Sequence, residues 1–200
     1  MTIKTDTKKQ MLIKAVVIGV SAGGFKALHR ILPLFDNSFP IPVMIVQHRK
    51  AENDSFFVNS LKEKCHIHVE EAIDKTRIAQ GRIYIAPGGY HLLVEKDLSL
   101  ALSVDSPVCY CRPSIDVLFE SAADAFGPNI IGIILTGANA DGANGIKAIK
   151  SSGGITIVQN PKTADVDYMP LAAIKTNAVD HILELDEIPR FVNNLVIGSN

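Results

Sequence analysis

Apolar residues follow two rhythms along this chain. Short, mainly apolar runs alternate with longer stretches in which apolar positions recur every three or four residues. Leu12-Ile13-Lys14-Ala15-Val16-Val17-Ile18 is the first run, closed by Gly19, and similar runs fall at 43–46, 82–86, 130–135 and 155–158. Such runs suit strands buried on both faces of a parallel sheet. Between them, Leu28, Ile31 and Leu32 predict a helix over 25–32, and Phe57, Val58 and Leu61 predict another over 55–64. Further helices are predicted over 113–126, 143–151, 170–176 and 187–195, with a last strand over 181–185. Pro113 stands near the start of its helix, where a missing N–H costs little. Residues 91–95 and 98–104, joined across Lys96-Asp97, read as a β-hairpin.

Strands separated by helices imply right-handed crossovers and a sheet covered on both sides. The expected class is α/β: a doubly wound, mainly parallel sheet with helices on both faces and an appended antiparallel β-hairpin. Residues 12–197 read as one catalytic-type domain, preceded by a flexible leader over 1–11.

Composition narrows the function classes. With 47% hydrophobic and 20% charged residues, the chain has an ordinary globular balance, which excludes disorder throughout. The formal net charge is −1 and no dense block of Lys or Arg occurs, so neither nucleic acid nor an anionic membrane surface is an expected partner. No run approaches ~20 apolar residues, so no transmembrane helix or direct membrane insertion is expected, and 1–10 lack the apolar core of a signal peptide. Three cysteines leave no paired framework and suit a reducing compartment, so a cytoplasmic location is expected. Cys109-Tyr110-Cys111 falls short of the four ligands of a structural zinc site and reads as two small side chains on an extended segment. No metal and no cofactor are expected.

In doubly wound sheets, ligands and reactive groups collect where strand carboxyl ends feed loops. Three such loops carry chemistry: Gly19-Val20-Ser21-Ala22-Gly23-Gly24, Gln47-His48-Arg49, and Thr136-Gly137-Ala138-Asn139-Ala140-Asp141-Gly142. The first fits G-x-S-x-G, a turn that lifts a serine off the sheet at a helix N-terminus. It also resembles a degenerate dinucleotide loop, which would cradle a phosphate of a nucleotide without any catalysis, and a plain tight βα turn is a third reading. A dinucleotide loop wants an acid ending the second strand. That strand ends in Gln47-His48 instead, which supplies a base. Imidazole titrates in the range needed to activate a hydroxyl. Asp141 enters as the carboxylate that would orient His48; an N-cap on its own helix is the alternative. The other histidines, His29, His66, His68 and His181, read as solvated or structural. His91, beside Pro87-Gly88-Gly89, is a further cleft candidate.

These pieces together resemble the catalytic domain of the bacterial chemotaxis protein-glutamate methylesterases, the CheB type. The resemblance rests on Gly-Val-Ser21-Ala-Gly-Gly, Val-Gln-His48, Ile-Ala-Pro87-Gly-Gly-Tyr-His, Arg112-Pro-Ser-Ile-Asp116-Val-Leu-Phe, Leu-Thr136-Gly-Ala-Asn-Ala-Asp141-Gly-Ala and Met169-Pro170, in the family's order. It implies a hydrolase that removes methyl esters from glutamate γ-carboxyls on receptor helices, and in many members deamidates particular glutamines. It places the nucleophile on Ser21, the base on His48 and the acid on Asp141. Oxyanion and cleft groups are expected from Ala22, Gly23, Gly24, Thr136, Gly137, Ala138 and Asn139. Family members generally carry an N-terminal receiver domain; this chain starts almost at the first catalytic strand, so activity without one is expected, with a separate receiver protein as a further candidate partner. Ala22 stands where some members have a hydroxyl residue, and Ala138-Asn139 where a Met-Gly pair is common.

Overall fold

The computed structural model describes residues 12–49 and 55–198; the expected leader over 1–11 lies outside them. The central strand is β1 (Ala15–Val20), buried along its whole length. Its side chains alternate between two cores, as a period of two requires. Val16, Ile18 and Val20 enter one core, with Leu28, Leu61 and Val192. Ala15 and Val17 enter the other, with Leu118, Ile146 and Met169. A strand that is apolar at every position has nowhere else to be stable.

Among the described residues the main sheet has seven parallel strands in the order β3-β4-β2-β1-β7-β8-β9. The members beside β1 are β2 (Val43–Gln47), β3 (His68–Glu71), β4 (Arg82–Ile85), β7 (Ile130–Ile134), β8 (Ile155–Gln159) and β9 (His181–Leu183). The helices are α1 (Gly24–Ile31), α2 (Ser55–Lys64), α3 (Ile115–Phe126), α4 (Ala143–Ser151), α5 (Tyr168–Ile174) and α6 (Glu187–Val196). In α1 the buried residues Gly24, Ala27, Leu28 and Ile31 fall at i, i+3, i+4 and i+7, the stripe of a helix lying on a sheet. Strand order reverses between β1 and β7. A crevice opens at such a switch point above the strand carboxyl ends.

One element differs from expectation. Strand β3 was not foreseen: only Val69 is buried in it, and as an edge strand it carries little apolar signal. The hairpin of β5 (His91–Val94) and β6 (Leu100–Ser103) pairs as expected and stands beside the main sheet as a two-stranded sheet of its own. It is tied to α3, where the Ser121 hydroxyl accepts the Val94 N–H at 3.1 Å.

Candidate active site

Parallel register sets Val20 opposite Gln47, so Ser21 and His48 leave neighbouring strands at the same level. The His48 N–H donates to Val20 O at 3.1 Å, and the Gln47 side-chain amide donates to both Ser21 O and His48 O at 3.0 and 3.1 Å. From the other side the Ser21 N–H donates to Thr136 O at 3.0 Å. The Ser21 backbone is therefore held on both flanks, while its hydroxyl makes no hydrogen bond among the described residues. Gln47 reaches this position because Gly24 has no side chain. A Cβ there would lie 2.1 Å from Gln47 Oε1 and 2.6 Å from Val20 Cγ2.

Asp141 is wholly buried and accepts four hydrogen bonds. Its Oδ2 takes His48 Nε2 at 2.7 Å and Ile115 N–H at 2.6 Å; its Oδ1 takes the Ser114 hydroxyl at 2.8 Å and Asp116 N–H at 3.1 Å. Burial alone would push its pKa up, but the hydrogen bonds from His48, Ile115, Asp116 and Ser114 outweigh burial and hold it below the usual carboxylate range. An ionised carboxylate only accepts. Nε2 of His48 must then carry the proton, which leaves the Nδ1 lone pair as the basic site of the neutral ring.

Asp141 does not cap its own helix, the alternative reading. Gly142, at φ +97°, stands at the N-terminus of α4, and Asp141 serves α3 by accepting from Ile115 and Asp116. Asp116, in the first turn of α3, returns the service. Its Oδ1 accepts Gly142 N–H at 2.9 Å and Gly145 N–H at 2.7 Å at the start of α4. Two helix N-termini thus exchange carboxylates, each at the positive end of the other's dipole. Burial, foremost, raises the Asp116 pKa, and the charge of Asp141 adds to the rise.

The amides expected around the oxyanion divide into two groups. Those of Gly24, Thr136 and Gly137 are already bonded, to Ser21 O, Gln159 Oε1 and Val166 O, and cannot also serve there. The Thr136 hydroxyl instead donates to Ala22 O at 2.8 Å, bracing the Ser21 loop. The amides of Ala22, Gly23, Ala138 and Asn139 have no hydrogen bond among the described residues. Asp165 and Asp167 are exposed, and Asp165 pairs with Lys26 at 3.4 Å.

Ser114 and Cys111 escaped the sequence reading, and His91, a cleft candidate there, is placed differently. Ser114 caps α3 and binds Asp141. His91 is buried, not cleft-lining: its Nδ1 accepts the Ser114 N–H at 3.2 Å and its Nε2 faces Ser106 O. Cys111 lies 3.5 Å from His48 Nδ1 and accepts from the Asn139 amide at 3.1 Å. Its segment is not extended. Val108 and Cys111 pair across a tight turn in which Cys109 and Tyr110 have φ of 49° and 62°. An open cleft of about 490 Å³ is lined by His48, Arg49, Gly89, Tyr110, Cys111 and Arg112 among others.

Fold and site together define a class: a doubly wound α/β domain that presents a hydroxyl, an imidazole and a buried carboxylate at strand ends, the equipment of serine-dependent hydrolases. The chain belongs to the CheB methylesterase family, whose model matches residues 16–192. A relative from Leptospira interrogans is 47% identical over 178 residues, covering 89% of this chain and 92% of its own. The protein-glutamate methylesterase/protein-glutamine glutaminase of Clostridium acetobutylicum is 37% identical over 186 residues, 93% of this chain but 54% of that protein, so the chain spans about half its length. The crystal structure of the Thermotoga maritima CheB methylesterase catalytic domain superposes with a TM-score of 0.88 at 32% identity, covering 92% of this chain and 99% of that one. Membership of an esterase family removes the reading of Gly19–Gly24 as a non-catalytic phosphate cradle.

Proposed function

We propose that this chain hydrolyses methyl esters of glutamate γ-carboxyls on the helices of chemoreceptor-type proteins, and deamidates particular glutamines there, with Ser21 as nucleophile. The observation that carries the reading is the 2.7 Å bond from His48 Nε2 to buried Asp141, with Ser21 at the same level on the next strand. The Ser21 hydroxyl attacks the ester carbonyl while His48 Nδ1 takes its proton. Asp141 stabilises the imidazolium and fixes the ring. The free amides of Ala22 and Gly23, with those of Ala138 and Asn139 across the crevice, are the donors for the oxyanion. His48 then returns its proton to the methoxide oxygen and methanol leaves. Water, deprotonated by the same nitrogen, cleaves the glutamyl-Ser21 ester to glutamate and free serine. With a glutamine substrate, ammonia leaves in place of methanol.

Among the described residues no helix is long and apolar enough to cross a membrane. A cytoplasmic place, action on the receptors' cytoplasmic helices, and regulation through a separate receiver protein complete the proposal. The test is incubation with methyl-labelled receptor, scoring released methanol, beside labelling by a fluorophosphonate. Ser21→Ala should fold, lose the label and lose turnover by several orders of magnitude. A tenth of wild-type activity remaining in Ser21→Ala would overturn the assignment.

A further inference from the structure

Cys111 has no part in the hydrolytic cycle, yet it stands against the nitrogen on which that cycle turns. Its sulfur is 3.5 Å from His48 Nδ1, the ring nitrogen whose lone pair accepts the thiol S–H once Asp141 has claimed the Nε2 proton. A tetrahedral zinc, with Zn–S of about 2.3 Å and Zn–N of about 2.0–2.1 Å, sets its sulfur and nitrogen ligands about 3.5 Å apart. The two side chains therefore stand at the spacing of a zinc-site edge before any metal arrives.

Each ligand also has the outer partner that metal sites use to hold it. His48 donates Nε2–H to Asp141, the carboxylate–histidine arrangement that orients an imidazole toward a metal. The Asn139 amide donates to Cys111 Sγ at 3.1 Å and holds it in place; burial, foremost, and the charge of Asp141 raise the thiol's pKa, so the metal's own charge must displace the proton. Cys111 is fixed in place by the tight turn that pairs it with Val108. Asp141 itself is near enough to be a ligand, but its oxygens already accept four hydrogen bonds, so it serves from behind His48. The cleft beside His48 and Cys111 is open to solvent and provides the way in.

We propose that Cys111 Sγ and His48 Nδ1 form a binding site for Zn²⁺ that switches the esterase off. Binding releases the Cys111 proton to solvent, and the His48 lone pair enters the metal's coordination shell, with water in the remaining positions. The base is then unable to take the Ser21 proton. Thiolate and imidazole favour such borderline-soft cations, whereas Mg²⁺ keeps oxygen ligands and should leave the enzyme unaffected. The inhibitory consequence rests on His48 being the base; the binding does not.

The experiment therefore reads binding and activity separately. Co²⁺ added to the apo chain should give thiolate-to-cobalt absorption in wild type and in Cys109→Ser, and Zn²⁺ should bleach it. Cys111→Ser should lose the band, with melting curves checking that each variant is folded. Ester hydrolysis by wild type should fall about tenfold at free Zn²⁺ about ten times the dissociation constant, by simple occupancy, and recover with chelator. The turnover of Cys111→Ser, compared with itself before and after Zn²⁺, should not fall. Equal inhibition of Cys111→Ser, or an absorption band that follows Cys109, would overturn the site. A band that follows Cys111 in a chain that hydrolyses no ester would uphold the site and overturn the hydrolase reading.

Discussion

Replacing Asp141 by asparagine separates the two services of that carboxylate. The amide can sit in two ways. With its nitrogen at the Oδ2 position, it would face the Ile115 N–H, now 2.6 Å away, and the His48 Nε2–H. That orientation sets two donors against a donor, or reverses the His48 tautomer. With its nitrogen at the Oδ1 position, the Ser114 hydroxyl can turn to accept, and only the Asp116 N–H, at 3.1 Å, is left without an acceptor. The second orientation is preferred. It costs about 1–3 kcal/mol for one buried unsatisfied donor, a fall in Tm of about 2–12 °C for a domain of this size. The tautomer survives but the charge is gone. An imidazolium and a carboxylate with centres about 4 Å apart attract by up to about 4 kcal/mol at an effective dielectric of 20. Losing about 2–4 kcal/mol of transition-state stabilisation slows turnover about 30- to 10³-fold. Methanol release from labelled receptor and a melting curve on the same sample measure both quantities. A loss beyond about 10⁴-fold would mean the tautomer had reversed, as in the trypsin-type precedent, and that the amide orientation is wrong. Near-wild-type turnover would remove Asp141 from the triad.

The neighbouring residues give two contrasting expectations. Ser114→Ala removes the cap of α3, for about 1 kcal/mol at any pH, and also a buried charge-assisted bond at 2.8 Å, which should cost about 1.5–3 kcal/mol. Asp141 has a depressed folded pKa, so that cost is full above about pH 4 and shrinks as pH falls through the folded value; pH-dependent melting checks the sign. Asp116→Asn should instead leave Tm at pH 7 unchanged or raised, because an amide oxygen can keep the Gly142 and Gly145 N–H groups and the burial that raises the acid's pKa no longer matters. Its advantage over wild type should vanish as pH falls from above the raised folded pKa toward about 3.9; a constant advantage down to that pH would refute the assigned cause.

The sheet could be read because burial on both faces leaves a strand no choice of composition. Each residue of β1 is buried, and the unbroken run at 15–20 follows. Strand β3 obeys the opposite logic: at the sheet edge only Val69 meets the core, so polar neighbours are tolerated and the apolar signal disappears. The hairpin's pairing is local and legible, whereas its docking on α3 depends on Ser121, far along the chain. Ser21 and His48 were legible as the first residues beyond buried strands. Cys111 was not, since a two-residue turn with positive φ at both centres is usually announced by Asn-Gly, and here Cys109-Tyr110 occupies it.

Asp141 and Asp116 show where local reading stops. Both stand beside helix N-termini, and sequence reasoning assigns each acid to the helix it adjoins, because that is where an isolated helix would find its cap. In the folded chain each is bonded to the other helix. The exchange explains why the acid of the site can be so buried and still ionised: His48, the Ser114 hydroxyl and two backbone N–H groups of α3 take the place of water around it. It also makes His48's orientation depend on the packing of α3 against α4, since a shift between the helices would move Asp116 from Gly142 and Asp141 from Ile115 together. The carboxylate is held by a tertiary arrangement that no window of sequence around residue 141 contains.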